Sequence, residues 1–141
     1  MAAFSKTVAI PRPPAEVFPW LLEQDKVPQW TSRLQAYEVR GAIGAGSRIR
    51  QVLTVKGQKL DVELEITRHE PPHAAESRFS LQGIDVRTTY RLAPSGSGTE
   101  LTQELEGKAS GFKGRMLLPV VQRPLEEKIA GDLERLREVL S

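Results

Sequence analysis

Between residues 34 and 106 the chain alternates apolar and polar residues with a period of two, the pattern of half-buried β-strands. The clearest run, residues 60–66, places leucine, valine and isoleucine at even positions and acidic residues at odd ones. Turns rich in glycine and proline separate six such runs. An earlier run, Phe4 to Ile10, adds one more strand. The pattern therefore predicts seven strands, six of them joined consecutively by hairpins.

Helical spacing replaces this alternation in two regions. Residues 15–22 and a segment beginning near Asp25 predict two short helices, the second carrying Trp30. Near the end of the chain, apolar residues fall within a stripe of about 120° on a helical wheel. Two prolines, Pro119 and Pro124, are expected to interrupt the first half of that helix. Its unbroken part is therefore predicted to run from about residue 124 to 140.

This order of elements predicts a hollow interior. Seven strands spaced ~4.8 Å apart make a sheet about 30 Å wide. Its apolar face carries more inward side chains than one helix can cover. The sheet is therefore expected to curl around the C-terminal helix and to leave a pocket at its open end. The predicted fold class is α+β, with a curved seven-stranded antiparallel sheet wrapped around a long C-terminal helix. A length of 141 residues suits one domain, predicted to span 1–141.

Composition and charge exclude several classes of protein. Lys and Arg total 20 against 18 for Asp and Glu, and no run of five like charges occurs, so no nucleic-acid partner is expected. The absence of cysteine excludes disulfides and thiol nucleophiles. No 18 apolar residues run together, so no membrane-spanning segment is expected. The first ten residues lack the features of a signal peptide, which favours a soluble, cytoplasmic protein.

Three parts of the sequence resemble a known superfamily. They are the opening Val8–Phe18 (VAIPRPPAEVF), Trp30 after the second short helix, and the ending Asp132–Arg137 (DLERLR). Together with the element order β-α-α-β6-α, they resemble the START-like superfamily (SRPBCC, polyketide cyclase/dehydrase and lipid transport). The resemblance implies a helix-grip fold and an internal hydrophobic cavity for ligands such as lipids, polyketides, quinones or hormones. It carries over no catalytic residue, because that superfamily has no universal catalytic motif.

Two short motifs resemble a zinc site and a phosphate-binding loop, but the residues around them do not fit either site. Residues 69–73, His-Glu-Pro-Pro-His, match the zinc motif H-E-x-x-H. That motif needs a helix, which two prolines forbid, so we interpret it as an exposed hairpin turn and expect no metal. The glycines at 41, 44 and 46, and again at 96 and 98, precede strands rather than a helix, so they are interpreted as turns and not phosphate loops. No cofactor is expected.

Polar residues on the inward face of the predicted strands are the more informative signal. A buried amide or hydroxyl without a partner costs about 1–3 kcal/mol, so several on one concave face favour water or a ligand beside them. They are Gln51, Ser77, Thr88, Tyr90 and Gln103. Asp132 is the one carboxylate inside the apolar stripe of the terminal helix. It either orients a ligand or pairs with a nearby Arg or backbone group, and pairing is favoured because buried charges need partners.

Binding or carriage of a hydrophobic small molecule is the favoured function, since no His, Cys or Lys occupies an inward strand position. The predicted ligand-binding residues are Gln51, Leu53, Leu64, Phe79, Tyr90, Gln103, Met116, Leu117 and Asp132. One alternative is a polyketide-type aromatase/cyclase or dehydratase, with Tyr90 or Asp132 as proton donor or acceptor. Another is a protein-interaction module, as in the chaperone-cofactor branch of the superfamily. The oligomeric state stays open.

Overall fold

The computed structural model describes the backbone of residues 2–141 and the side chains from residue 3 onward. Within that range the chain forms seven strands and two α-helices, with two short 3-10 turns between the first helix and the second strand. The elements are β1 (Ala2–Ile10), α1 (Pro14–Val17), β2 (Leu34–Arg40), β3 (Arg48–Val55), β4 (Gln58–Glu70), β5 (Ala74–Leu81), β6 (Ile84–Ser95), β7 (Gly98–Ala109) and α2 (Gly111–Val139). The predicted fold class is confirmed.

All seven strands belong to one antiparallel sheet, in the order β1-β7-β6-β5-β4-β3-β2. Strands β2 to β7 follow one another as hairpins, whereas β1 pairs with the last strand, from Ala2 opposite Gly107 to Ile10 opposite Thr99. Helix α2 packs against β1, β6 and β7 and also against β3, near the other edge. One helix reaches both sides of the sheet because the sheet curves around it.

The core lies between the concave face of the sheet and α2. Its fully buried members include Ile10, Ile49, Ile66 and Leu101 from the sheet and Leu133 from the helix. On the strands these residues occupy the inward positions that the period of two predicts. Their burial fixes which side chains of each strand point toward the helix.

The segment after β1 contains less helix than the sequence predicts. An α-helix of only four residues, Pro14–Val17, continues as a 3-10 turn, Phe18–Leu21. The expected second helix is a 3-10 turn, Val27–Gln29, which ends just before Trp30. Each turn has a proline within its first two positions. A proline has no amide hydrogen, which is tolerated at the start of a turn, but a longer α-helix through that position would lack one hydrogen bond.

Helix α2 starts earlier than predicted and continues through both prolines. It runs from Gly111 to Val139 with Pro119 and Pro124 inside it. The carbonyl groups that these prolines cannot bond belong to Arg115 and Val120, both of which are exposed and therefore open to water. The expectation that the unbroken helix begins near residue 124 was wrong, because packing against the sheet outweighs the cost of the two prolines.

The first half of α2 is held to the turn between β5 and β6 by two glycines in close contact. An added Cβ atom on Gly114 would lie 2.2 Å from the Gly83 carbonyl oxygen, far inside a normal contact. Beside it, the Ser110 amide donates a 2.8 Å hydrogen bond to the same oxygen. The backbones approach this closely because neither glycine carries a side chain.

Candidate functional site

A cavity of about 100 Å³ lies between the concave face of the sheet and α2. Its wall is mostly apolar and combines residues from the 3-10 turns, the strands and the helix. The apolar lining consists of Leu21, Leu22, Val27, Trp30, Leu53, Leu64, Phe79, Val86, Leu105, Leu125 and Ile129. We call this space the internal cavity. Its volume is below the roughly 300–1,000 Å³ of typical small-molecule pockets.

The structure brings together seven of the nine residues that the sequence singles out as ligand-binding. These are Gln51, Leu53, Leu64, Phe79, Tyr90, Gln103 and Asp132. Met116 and Leu117 do not line the internal cavity, and Met116 is 63% exposed. They lie about two turns before the part of α2 that faces the cavity, residues 125–132. Because α2 begins at Gly111, Met116 and Leu117 belong to its first half, which precedes the helix predicted from about residue 124.

Five polar side chains predicted to face inward all line the internal cavity: Gln51, Ser77, Thr88, Tyr90 and Gln103. Within the described part of the chain, none of the five forms a side-chain hydrogen bond to protein. Gln103 is buried and the other four are half-buried. These five are therefore free to bond whatever occupies the cavity.

Two other buried hydroxyl groups have backbone partners. The Tyr37 hydroxyl donates a 2.7 Å hydrogen bond to the Leu22 carbonyl oxygen. The Thr99 hydroxyl donates a 2.6 Å bond to the Arg12 carbonyl oxygen. Thr31, which also lines the internal cavity, has a buried hydroxyl without a partner among the described residues.

An ion pair on α2 forms the most polar part of the wall. Lys128 Nζ lies 2.6 Å from Asp132 Oδ2, and the two side chains are only 9% and 6% exposed. The other carboxylate oxygen, Oδ1, accepts a 2.9 Å hydrogen bond from the Ser32 amide and so ties the segment before β2 to the helix. Of the two partners expected for Asp132, an arginine or a backbone group, the structure shows the backbone group, and a lysine in place of the arginine.

Lys128 is the site residue that sequence reasoning missed. The search for an inward base or nucleophile was confined to strands, whereas Lys128 reaches the internal cavity from the helix. The available signal was its position four residues before Asp132, since side chains at that spacing lie on the same helix face. Burial lowers the pKa of Lys128 below its ordinary value, and the adjacent Asp132 carboxylate partly opposes that shift.

Tyr90 presents a hydroxyl that stays protonated. Burial raises the pKa of Tyr90, and the negative charge of Asp132 raises it further. In the internal cavity it is therefore a neutral hydrogen-bond donor and acceptor across the physiological pH range. Burial likewise raises the pKa of Tyr37, whose hydroxyl is already bonded to the backbone.

The Lys128–Asp132 pair also borders a second space on the outside of the molecule. This groove has a volume of about 540 Å³ and shares both residues with the internal cavity. We call it the outer groove; its further lining includes Ser32, Arg33 and Arg135. The ion pair is thus part of the wall between the internal cavity and the outer groove.

In the His-Glu-Pro-Pro-His motif, His69 and Glu70 end β4, and residues 71–73 form the turn to β5 that the sequence indicates, although His69 is half-buried and not exposed. His69 packs against Phe18, with ring centroids 5.6 Å apart, and Glu70 pairs with Arg68. Among residues 2–141, no group of three or more His, Cys, Asp or Glu side chains is arranged to hold a metal ion. The motif therefore contributes a hairpin turn and a packing contact.

Among the described residues, no helix is both long enough and apolar enough to cross a bilayer.

Comparison with solved structures shows the same fold in proteins of low sequence identity. TTHA0849 from Thermus thermophilus superimposes with a TM-score of 0.81 at 20% identity, over 99% of this chain and 97% of that one. Ara h 8.0201 gives 0.78 at 16% identity, over 99% and 97%. The di-domain ARO/CYC StfQ of the steffimycin biosynthetic pathway gives 0.78 at 12% identity, over 98% of this chain and 50% of that one.

Sequence comparison identifies the family. No curated protein matches the chain significantly. The model of the family described as "Polyketide cyclase / dehydrase and lipid transport" matches residues 1–141. Because this match covers the whole sequence, the chain belongs to the polyketide cyclase/dehydrase and lipid transport family.

Proposed function

We propose that the chain is a single ligand-binding domain that binds or carries a hydrophobic small molecule in its internal cavity. The observation that carries the proposal is the presence of five polar side chains without protein partners in an otherwise apolar cavity. A protein-interaction module has no use for such a wall inside the fold. A ligand that bonds these polar groups and covers the apolar ones would use both parts of the wall.

The chemistry of the wall favours an oxygen-bearing ring compound over a plain alkyl chain. Gln51, Gln103 and Tyr90 supply donors and acceptors, whereas Leu53, Leu64 and their neighbours supply apolar contact. A hydrocarbon chain would leave the polar groups unpaired. Polyketide-like or quinone-like molecules, with hydroxyl or carbonyl groups on a flat apolar frame, satisfy both parts of the wall.

Movement of the Lys128 side chain would accommodate a ligand larger than the internal cavity. The cavity of about 100 Å³ and the outer groove of about 540 Å³ meet at Lys128 and Asp132. A long, flexible lysine side chain that turned into the groove would join the two spaces. The ligand we propose therefore has its apolar frame in the cavity and a polar end beside the ion pair.

A second candidate function, a cyclase or dehydratase, is favoured by the cluster of Tyr90, Lys128 and Asp132. Tyr90 is kept protonated and would donate a hydrogen bond to a ligand oxygen. Asp132 would accept a proton, and Lys128 beside it would stabilise negative charge on the ligand. Both candidate functions use the same cavity. An enzyme would change the bound molecule chemically, whereas a carrier would leave it unchanged.

Calorimetric titration with flat oxygenated ring compounds such as naphthol and hydroxynaphthoquinone tests the proposal. We expect saturable binding, weakened about tenfold by Gln103→Leu, which removes one hydrogen bond to the ligand. Gln58→Leu is the matched control, because Gln58 is exposed at the start of β4 and does not line the cavity. An absence of binding, or equal loss in both variants, would contradict the proposal.

Turnover separates the two candidate functions. Native mass spectrometry of the protein incubated with a polyketide-like chain shows whether the bound molecule keeps its mass or loses water. A loss of water that Tyr90→Phe abolishes, with binding retained, would establish the enzyme. Ring closure without loss of water keeps the mass but changes the ultraviolet spectrum, so an unchanged mass together with an unchanged spectrum of the extracted molecule supports carriage.

A further inference from the structure

The first half of α2 exposes an apolar strip that the internal cavity does not use. Phe112 is 79% exposed, Met116 63% and Val120 47%, and they follow one another at intervals of four residues. At 3.6 residues per turn, these three side chains lie within about 80° of one another around the helix. Large apolar side chains grouped in this way on an exposed helix mark an interaction surface.

Basic residues flank this strip. Arg115 lies on one side of it and Lys113 on the other, and both are exposed. No acidic residue occurs from Gly107 to Leu125, so Lys113 and Arg115 have no acidic neighbour along this part of the chain. Arg123, beyond Val120, is paired with Glu127 and adds no free charge. We call Phe112, Lys113, Arg115, Met116 and Val120 the amphipathic face.

The folded protein holds the amphipathic face in place. Gly114, on the opposite side of the helix, is buried against Gly83, and Val121 is 5% exposed. The face is therefore presented by a docked helix whose other side belongs to the core. A surface that is already ordered binds without the entropy cost of folding a free segment.

We propose that the amphipathic face docks on an anionic membrane surface. Apolar side chains between lysine and arginine match the membrane interface, where the apolar groups enter the headgroup boundary and the basic groups contact anionic lipids. The stems of Lys113 and Arg115 can extend along the apolar strip while their charges reach the phosphates. This inference is independent of the proposed function, because none of these residues lines the internal cavity.

Charge favours a membrane over a second copy of the chain. Two amphipathic faces packed together would bring Lys113 and Arg115 of one copy against those of the other, and like charges repel. An anionic lipid surface meets the same residues with opposite charge. Self-association through this face is therefore an outcome that the experiment must distinguish.

Co-sedimentation with lipid vesicles tests the inference. We expect the protein to partition onto phosphatidylcholine vesicles containing phosphatidylserine, to do so far less on phosphatidylcholine alone, and to be released by salt. Lys113→Gln with Arg115→Gln should lower partitioning about 30-fold, on the basis of ~1 kcal/mol for each basic residue near the surface. Phe112→Ser with Met116→Ser should lower it while leaving the charge unchanged.

The matched control removes the same charge elsewhere. Lys56→Gln with Lys59→Gln changes two exposed lysines at the hairpin between β3 and β4 and should leave partitioning within about twofold of the unmodified protein. Circular dichroism establishes that each variant is folded. Equal binding to both vesicle types, an equal loss in the control variant, or a dimer in sedimentation that Phe112→Ser with Met116→Ser disrupts would overturn the inference.

Discussion

Lys128 Nζ lies 2.6 Å from Asp132 Oδ2 on one face of α2, where the internal cavity meets the outer groove. The same helix carries a second pair with the same spacing, Arg123 and Glu127, 3.4 Å apart and 86% and 71% exposed. One helix thus contains a buried and an exposed version of the same interaction.

Breaking the buried pair should destabilise the protein far more than breaking the exposed one. Asp132→Asn leaves the Lys128 charge buried without a carboxylate, so we expect the free energy of unfolding to fall by about 3–5 kcal/mol. Arg123→Gln, the control, should lower it by about 0–1 kcal/mol. Urea unfolding measures both. A loss in Asp132→Asn as small as that in Arg123→Gln would show that Lys128 is solvated in solution.

Two threonines should respond in opposite ways to the same substitution. Thr88 faces the internal cavity without a protein partner, so Thr88→Val should leave the stability of the ligand-free protein unchanged or slightly raise it. Thr99 is 1% exposed and bonded to the Arg12 carbonyl oxygen, so Thr99→Val should lower the free energy of unfolding by about 1–3 kcal/mol. Thermal and urea unfolding measure the difference. A large loss in Thr88→Val would mean that its hydroxyl has a partner inside the protein.

Two glycines of α2 should also respond in opposite ways. Gly131→Ala adds a methyl group into open space, and the better helix propensity of alanine should raise the free energy of unfolding by about 0.5–1 kcal/mol. Gly114→Ala would place the same group 2.2 Å from the Gly83 carbonyl oxygen, so it should destabilise the protein. Chemical denaturation measures the two variants side by side. Equal stabilisation in both would mean that the start of α2 is not docked on the turn between β5 and β6.

High pH should unfold the protein before its tyrosines ionise. The chain has two tyrosines, and burial raises the pKa of each in the folded state. The unfolded chain releases these protons near pH ~10 while the folded state keeps them. Their contribution to stability is therefore complete below pH ~10 and falls as the pH rises further.

Ultraviolet absorbance of tyrosinate and circular dichroism, followed together against pH, measure this linkage. We expect the absorbance to rise only as the fold is lost. The Tyr37→Phe variant isolates the signal of Tyr90. Ionisation near pH ~10 with the fold intact would show that the Tyr90 hydroxyl is open to bulk water.

Sequence patterns predicted the sheet well because strand periodicity and turn residues are both features of neighbouring residues. A period of two fixes which side of each strand faces inward, and turn residues fix where each hairpin closes. That is why Gln51, Tyr90 and Gln103 were identified as inward-facing polar residues. The pairing of β1 with β7 joins the first and last strands of the chain, and no local pattern predicts it.

The helices were predicted less well because packing decides their extent. The start of α2 depends on the contact between Gly114 and Gly83, which are far apart in the sequence. Met116 and Leu117 were misplaced for that reason. Lys128 was missed because its burial depends on where α2 lies against the sheet, and a lysine on a helix is usually solvated.

Nuclear magnetic resonance of the methyl groups in the presence of naphthol tests the central claim most directly. If the internal cavity admits a small hydrophobic guest, naphthol ring protons should show intermolecular Overhauser effects to the methyl groups of Leu53, Leu64 and Ile129, which line it. Effects confined to exposed methyl groups such as those of Met116 and Val120, or no saturable binding at all, would contradict the claim.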